Sequence, residues 1–194
     1  MSIQSLCVFC ASSRRVHPEY LSAARRLGEL CAEEGVRVIY GGGKVGLMGE
    51  LAAGALAKGG EVVGVIPEFM VEIEWGNHDV SELVVTRDMH ERIQIMGQRA
   101  DAFAALPGGC GTFEELFQAM TAKRLELHAK PICLVDVREY FEPCLALLNR
   151  AVDEGFMDER HRAMWCVAPT VEQTLEVLRS APAWESGARG WAVP

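Results

Sequence analysis

The chain has 194 residues, a formal charge of −8 and the apolar and charged content of a soluble globular protein, so one domain with a substantial core is expected. The negative charge, with no local cluster of Lys and Arg to offset it, argues against a nucleic-acid polymer as partner, and any phosphate must be held by a local device. No apolar run approaches the roughly 20 residues of a membrane span and no signal-type stretch opens the chain, which points to a cytoplasmic protein without a membrane partner.

Short, continuous apolar runs alternate with helical patterns along the chain. The first run, LCVFCA at 6–11, reads as a strand and is followed by a helix at 18–34. VRVIY at 36–40 and a helix at 46–58 come next, then EVVGVIP at 61–67. Residues 67–82 have no clear period and are expected to form a loop over the edge of the sheet. LVVT at 83–86, a helix at 88–99, DAFAALP at 101–107, a helix at 112–127, PICLVD at 131–136 and a helix at 140–154 continue the alternation. A last helix is expected after Thr170, where Thr170 and Gln173 suit a capping box. From Trp184 onward Gly, Ala and Pro dominate, so residues 1–183 are expected to form the domain and 184–194 a frayed tail.

This order implies an α/β fold, a doubly wound and mainly parallel sheet with helices on both faces. Ligands of such sheets sit outside the C-terminal strand ends, where the βα turns gather. Ser12 lies in the first of these turns, Gly41 to Gly46 form the second, and Pro107 to Glu115 the fifth.

The cysteines number seven and lie mostly in apolar segments, which suits reduced thiols better than a disulfide framework. Cys7 and Cys10 form a CxxC, but residues three apart on a strand point to opposite faces and no second CxxC completes a zinc site. The histidines form no ligand pattern: His90-Glu91 is followed by Gln94 where HExxH would continue.

Gly41, Gly43 and Gly46 satisfy G-x-G-x-x-G between a strand and a helix, yet this is the second βα turn, and only Glu61 and Glu68 lie near the place of the expected acidic residue. Ligand contact and a tight turn with close packing both remain open there. The Pro107-Gly108-Gly109-Cys110-Gly111-Thr112-Phe113-Glu114-Glu115 segment is more specific. Three glycines within four positions let main-chain N–H groups approach a ligand, and the following helix points its positive end at the same place. Thr112 and Glu115 also fit a T-x-x-E capping box, so Glu115 reads either as a cap or as a reactive carboxylate; Glu114 and Glu115 are both expected to face the cleft. Cys110 reads as a small tolerated residue or as a thiol activated by the helix end. Arg92, near the start of its helix beside Met89, is either a solvated arginine or a guanidinium that binds phosphate or ribose oxygens.

GGGKVGLMG from Gly41, MHER from Met89 and LPGGCGTFEEL from Leu106, in this order, resemble the Lonely Guy (LOG) family, once described as lysine decarboxylase-like, over about residues 5–155. The resemblance implies a Rossmann-like homodimer that hydrolyses the N-glycosidic bond of cytokinin riboside 5′-monophosphates or AMP, with no metal or organic cofactor. It also implies that Arg92 and Glu115 are catalytic, that Gly108, Gly109, Cys110, Gly111 and Thr112 bind phosphate, and that Glu74 and Thr121 touch substrate. Glu114, Met89, Ser12 and Gly43 complete the expected small-molecule site. Two positions depart from the family: Ile93 stands in place of a lysine and Ala122 in place of a tryptophan. These departures leave room for a divergent member acting on a base-modified or pyrimidine monophosphate. A nucleotide carrier without chemistry and an NAD-dependent oxidoreductase are the rival readings.

Overall fold

The computed structural model describes residues 2–72, 75–184 and 187. In chain order the elements are β1 (Ser5–Phe9), α1 (Pro18–Glu33), β2 (Arg37–Tyr40), α2 (Gly46–Ala57), β3 (Val62–Pro67), α3 (Glu68–Glu72) and β4 (Glu82–Thr86). They continue with α4 (Met89–Arg99), β5 (Ala102–Ala105), α5 (Cys110–Arg124), β6 (Ile132–Val135), α6 (Glu142–Asp153), β7 (Cys166–Ala168) and α7 (Thr174–Ser180).

The strands are built from residues that are apolar on both faces, and both faces are covered. Leu6, Val8 and Cys10 pack into a layer with α1, α2 and α7, whereas Cys7 and Phe9 pack into the opposite layer with α4, α5 and α6. Cys7 and Cys10 therefore lie on different sides of the sheet, as the two-residue period of a strand requires. Close approach of α1 and α2 depends on two glycines: a methyl group on Gly28 would lie 2.1 Å from the Leu51 carbonyl oxygen, and one on Gly54 would lie 2.1 Å from that of Arg25.

All seven strands described are parallel, in the order β4-β3-β2-β1-β5-β6-β7. Winding reverses between β1 and β5, whose register pairs Phe9 with Ala105, so a crevice opens at their C-terminal ends. The turn after β1 and the turn after β5 meet there, and the Ala11 N–H donates to the Pro107 carbonyl at 3.3 Å.

Several local expectations are corrected. The 67–82 segment contains the short helix α3, and it crosses the sheet edge by a Gly43–Gly76 bridge with the Asn77 N–H donating to the Gly42 carbonyl. Strand β7 has only three residues, too few for a periodic signal. Thr170 is the N-cap of a single 3-10 turn, Val171–Gln173, that precedes α7, but no capping-box bond forms, because its hydroxyl donates to the Gln173 side chain at 3.3 Å instead of accepting from the backbone. Trp184, assigned to the tail, is buried beside Met164, so packing reaches that residue. The other tail positions lie outside the described residues, except for Gly187.

Candidate active site

Helix α4 is aimed into the crevice by its first turn. Asp88 caps it, its carboxylate accepting from the Glu91 N–H at 2.9 Å, and the Thr86 hydroxyl donates to the Asp88 carbonyl. One turn in, Arg92 is carried under the glycine turn after β2 and is 4% exposed. A methyl group on Gly41 would lie 2.0 Å from Arg92 Nη2, so the absence of a side chain at Gly41 makes room for the guanidinium. Arg92 Nη1 points to the Met89 sulfur at 3.5 Å, which places Met89 against the arginine.

Helix α5 begins at Cys110, two residues earlier than the sequence suggests, with Gly109 as the N-cap. Thr112 is thus inside the first turn, and the T-x-x-E pattern does not form a capping box. The consequence is that Glu115 faces the interior at 3% exposure and accepts from Arg92 Nη2 at 2.9 Å. Burial pushes its carboxyl up to about 7, against the pull of Arg92 and with a smaller push from Glu114. Arg92 Nε is also buried and has no hydrogen-bond acceptor among the described residues.

The turn ahead of α5 has the features of an anion cradle. The first N–H groups of a helix lack intrahelical acceptors, and Gly109 has no side chain to serve them. Methyl groups on Gly109 or Gly111 would meet nothing within 4 Å, so their backbone stands open to a ligand. Gly108 differs, since a methyl there would lie 2.0 Å from the Thr112 hydroxyl; Thr112 is buried against it. Cys110 is exposed.

Two cavities meet at the Arg92–Glu115 pair. One of about 240 Å³ is lined by Ser12, Gly41, Gly43, Met48, Trp75 and Arg92. The other, about 410 Å³, lies between α4 and α5 and is lined by Phe9, His90, Ile93, Glu115, Ala122 and His128. Ile93 and Ala122, separate in sequence, line the same space beside Glu115.

Of the sequence-selected residues, Ser12, Gly43 and Arg92 line the smaller cavity and Glu115 the larger, Met89 lies against Arg92, and the turn from Gly108 to Thr112 follows Pro107, which is bonded to Ala11 beside Ser12. Glu114 and Thr121 do not: both are exposed on the outer face of α5, where they line a shallow groove with Phe117 and Leu127. The expectation that Glu114 and Glu115 share the cleft is therefore corrected, because adjacent helical residues point about 100° apart. Glu74 lies outside the described residues. Trp75 and Met48 were not among the expected site residues: Met48 lies in the GGGKVGLMG stretch without a distinguishing chemistry, and Trp75, outside any motif, is held at the site by the Lys44 N–H, which donates to its carbonyl at 3.1 Å, and by the adjoining Gly43–Gly76 bridge. Among the described residues, no group of three or more His, Cys, Asp or Glu side chains could hold a metal ion, and no helix is long and apolar enough to cross a membrane.

Residues 48–178 match the family model described as "Possible lysine decarboxylase". A cytokinin riboside 5′-monophosphate phosphoribohydrolase from Rhodococcoides fascians is 42% identical over 178 residues, 91% of this chain and 90% of that protein. The enzyme of the same name from Oryza sativa subsp. japonica is 39% identical over 183 residues, 94% of this chain and 76% of that one. Among solved structures, a molybdenum cofactor binding protein from Rippkaea orientalis is 24% identical with a TM-score of 0.69, covering 93% of this chain and 98% of the other, a likeness of fold alone.

Proposed function

The chain belongs to the Lonely Guy family, and from that premise we propose that it is a nucleoside 5′-monophosphate phosphoribohydrolase. It hydrolyses the N-glycosidic bond of a cytokinin riboside 5′-monophosphate or an AMP-like nucleotide, releasing free base and ribose 5-phosphate. The observation that carries this reading is the buried 2.9 Å pair of Arg92 and Glu115, set beside an open glycine turn at a helix N-terminus.

Cleavage of an N-glycosidic bond passes through an oxocarbenium-like state, which needs a carboxylate near the anomeric carbon and a firm hold on the sugar. Glu115, with a carboxyl poised at about 7, orients or deprotonates the attacking water and stabilises the positive charge on the ribose. Arg92, which lines the smaller cavity, binds ribose or phosphate oxygens through its guanidinium. The amides of Gly109, Cys110, Gly111 and Thr112 hold the 5′-phosphate, a remote anchor whose binding energy is used at the reacting centre. Ser12 and Gly43 border the ribose, and no metal or organic cofactor enters these steps.

The cavity lined by Ile93 and Ala122 takes the base. An apolar side chain and a small one at these positions favour a base carrying a bulky or apolar substituent, whereas unmodified AMP fills less of it. The homodimer belongs to the same reading: Phe117 and Leu127, 37% and 68% exposed beside Thr121 on α5, form an apolar strip for a second copy. A cytoplasmic setting agrees with the seven cysteines, all of which are free thiols.

The test is a panel of nucleoside 5′-monophosphates, unmodified and N6-substituted adenine together with pyrimidines, assayed by chromatography for free base and ribose 5-phosphate. Release of base from at least one of them supports the enzyme. Tight binding without release would instead make the protein a nucleotide carrier.

A further inference from the structure

We propose that Tyr140 is a positioning residue for the phosphate turn: its hydroxyl fixes the peptide between Gly108 and Gly109 so that the amides at the start of α5 face the 5′-phosphate. The proposal deepens the reading above and rests on it.

The Tyr140 hydroxyl donates to the Gly108 carbonyl at 2.5 Å. The preceding carbonyl, that of Pro107, is already tied to the Ala11 N–H at 3.3 Å. With the Gly109 carbonyl accepting from the Phe113 N–H, the carbonyl oxygens of Pro107, Gly108 and Gly109 are all held by protein donors, which matters because a carbonyl aimed at a phosphate would repel it. In a trans peptide C=O and N–H point in opposite directions. Holding the Gly108 oxygen toward Tyr140 therefore turns the Gly109 N–H the other way. On the Gly109 side no side-chain contact holds this peptide among the described residues, since that residue has no side chain and a methyl there would meet no atom within 4 Å, while its own carbonyl accepts from the Phe113 N–H at 3.1 Å. Glycine on both sides makes inversion of the peptide sterically easy.

Tyr140 is itself held in place. Its ring stacks on Phe113 at 6.5 Å between centroids and meets Tyr20 and Phe141 edge-on at 5.9 and 5.2 Å. The chain that delivers it is contorted: Arg138 and Glu139 both have φ 58°, a left-handed conformation that non-glycine residues adopt only where the surroundings impose it. Asp136 accepts from the Phe141 N–H at 2.6 Å, and Arg138 pairs with Glu19 at 2.8 Å, which closes the connection around the tyrosine. The link between β6 and α6 thereby places one hydroxyl on one carbonyl of the turn.

The experiment compares wild type with Tyr140→Phe, which removes only the hydroxyl, and Tyr140→Leu, which also removes the ring. The monophosphate turned over fastest in the panel is the substrate, and the two products, ribose 5-phosphate and free base, serve as inhibitors. In Tyr140→Phe, KM for the monophosphate and the inhibition constant of ribose 5-phosphate should rise about tenfold, the loss expected from one hydrogen bond. Inhibition by free base should stay unchanged, and the melting temperature should fall by no more than a few degrees, about the effect of one unmade hydrogen bond. If Tyr140→Phe matches wild type and only Tyr140→Leu is impaired, ring packing is the role and the proposal fails. Equal weakening of both inhibitors also overturns it, since a general loosening of the site would do that. Wild-type protein that neither binds nor cleaves any monophosphate overturns the functional reading and this proposal together; cleavage that is indifferent to the hydroxyl overturns the proposal alone.

Discussion

The two glycine turns look alike in sequence and are used in opposite ways. In Gly41 to Gly46 the space a side chain would take is already occupied by the protein: Arg92 at Gly41, Ile66 at Gly42, and the Ser12 backbone at Gly46, where φ is +63°. In the turn before α5, Gly109 and Gly111 border open space. At Gly41, Gly42 and Gly46 the missing side chain admits neighbouring parts of the chain, whereas Gly109 and Gly111 leave their backbone open to a ligand. A glycine motif therefore acquires meaning only when one knows what stands where its side chains would be.

The largest expected effect comes from the pair that joins the two turns. Glu115→Gln should lower kcat by at least about a hundredfold, the low end for a positioned acid–base group, while its neutral amide still accepts from Arg92. Base release at the wild-type rate by this variant would remove Glu115 from the mechanism.

Gly41→Ala tests the occupied turn. Its methyl, 2.0 Å from Arg92 Nη2, must displace the guanidinium from Glu115. Turnover should drop at least about tenfold, in line with the steep dependence of rate on alignment, although residue 41 itself touches no phosphate. A variant with unchanged kcat would show that the arginine can relax without consequence.

The pH profile probes the pair without mutation. Burial raises Glu115 from its ordinary value of 4.5 to about 7, and a base acts only when ionised. The kcat/KM should therefore fall about tenfold per unit as pH drops below that value and level off above it. The same shift bears on stability: between the two values the folded chain holds more protons than the unfolded one, so this group's contribution declines as pH rises through that window. The acid limb should vanish in Glu115→Gln.

The smallest effect is expected at the open turn. Gly109→Ala has negative φ and meets no atom, so stability should change by no more than about 0.5 kcal/mol. The added methyl narrows the phosphate approach, however, and KM should rise a few-fold with kcat nearly kept. A large loss of melting temperature would mean that this turn, too, is a packing device.

Much was determined by sequence alone. Buried parallel strands need apolar residues on both faces, so six of the seven described strands stand out as short continuous runs, and their alternation with helices implies a doubly wound sheet, whose strand order only the structure gives. The glycine-rich turn before a helix is legible for the same local reason: backbone amides and a helix end lie close together along the chain, which is the arrangement the proposed phosphate site uses. Other features required the tertiary structure, because they depend on groups distant in sequence. Whether Glu115 capped its helix or faced the interior turned on a helix start only two residues earlier, and its partner is 23 positions away. The outward placement of Glu114 and Thr121, the convergence of Ile93 and Ala122 on one cavity, and the reach of Tyr140 to Gly108 are matters of helix rotation and packing. A linear pattern records neither, since the same local period is compatible with several ways of setting one element against another.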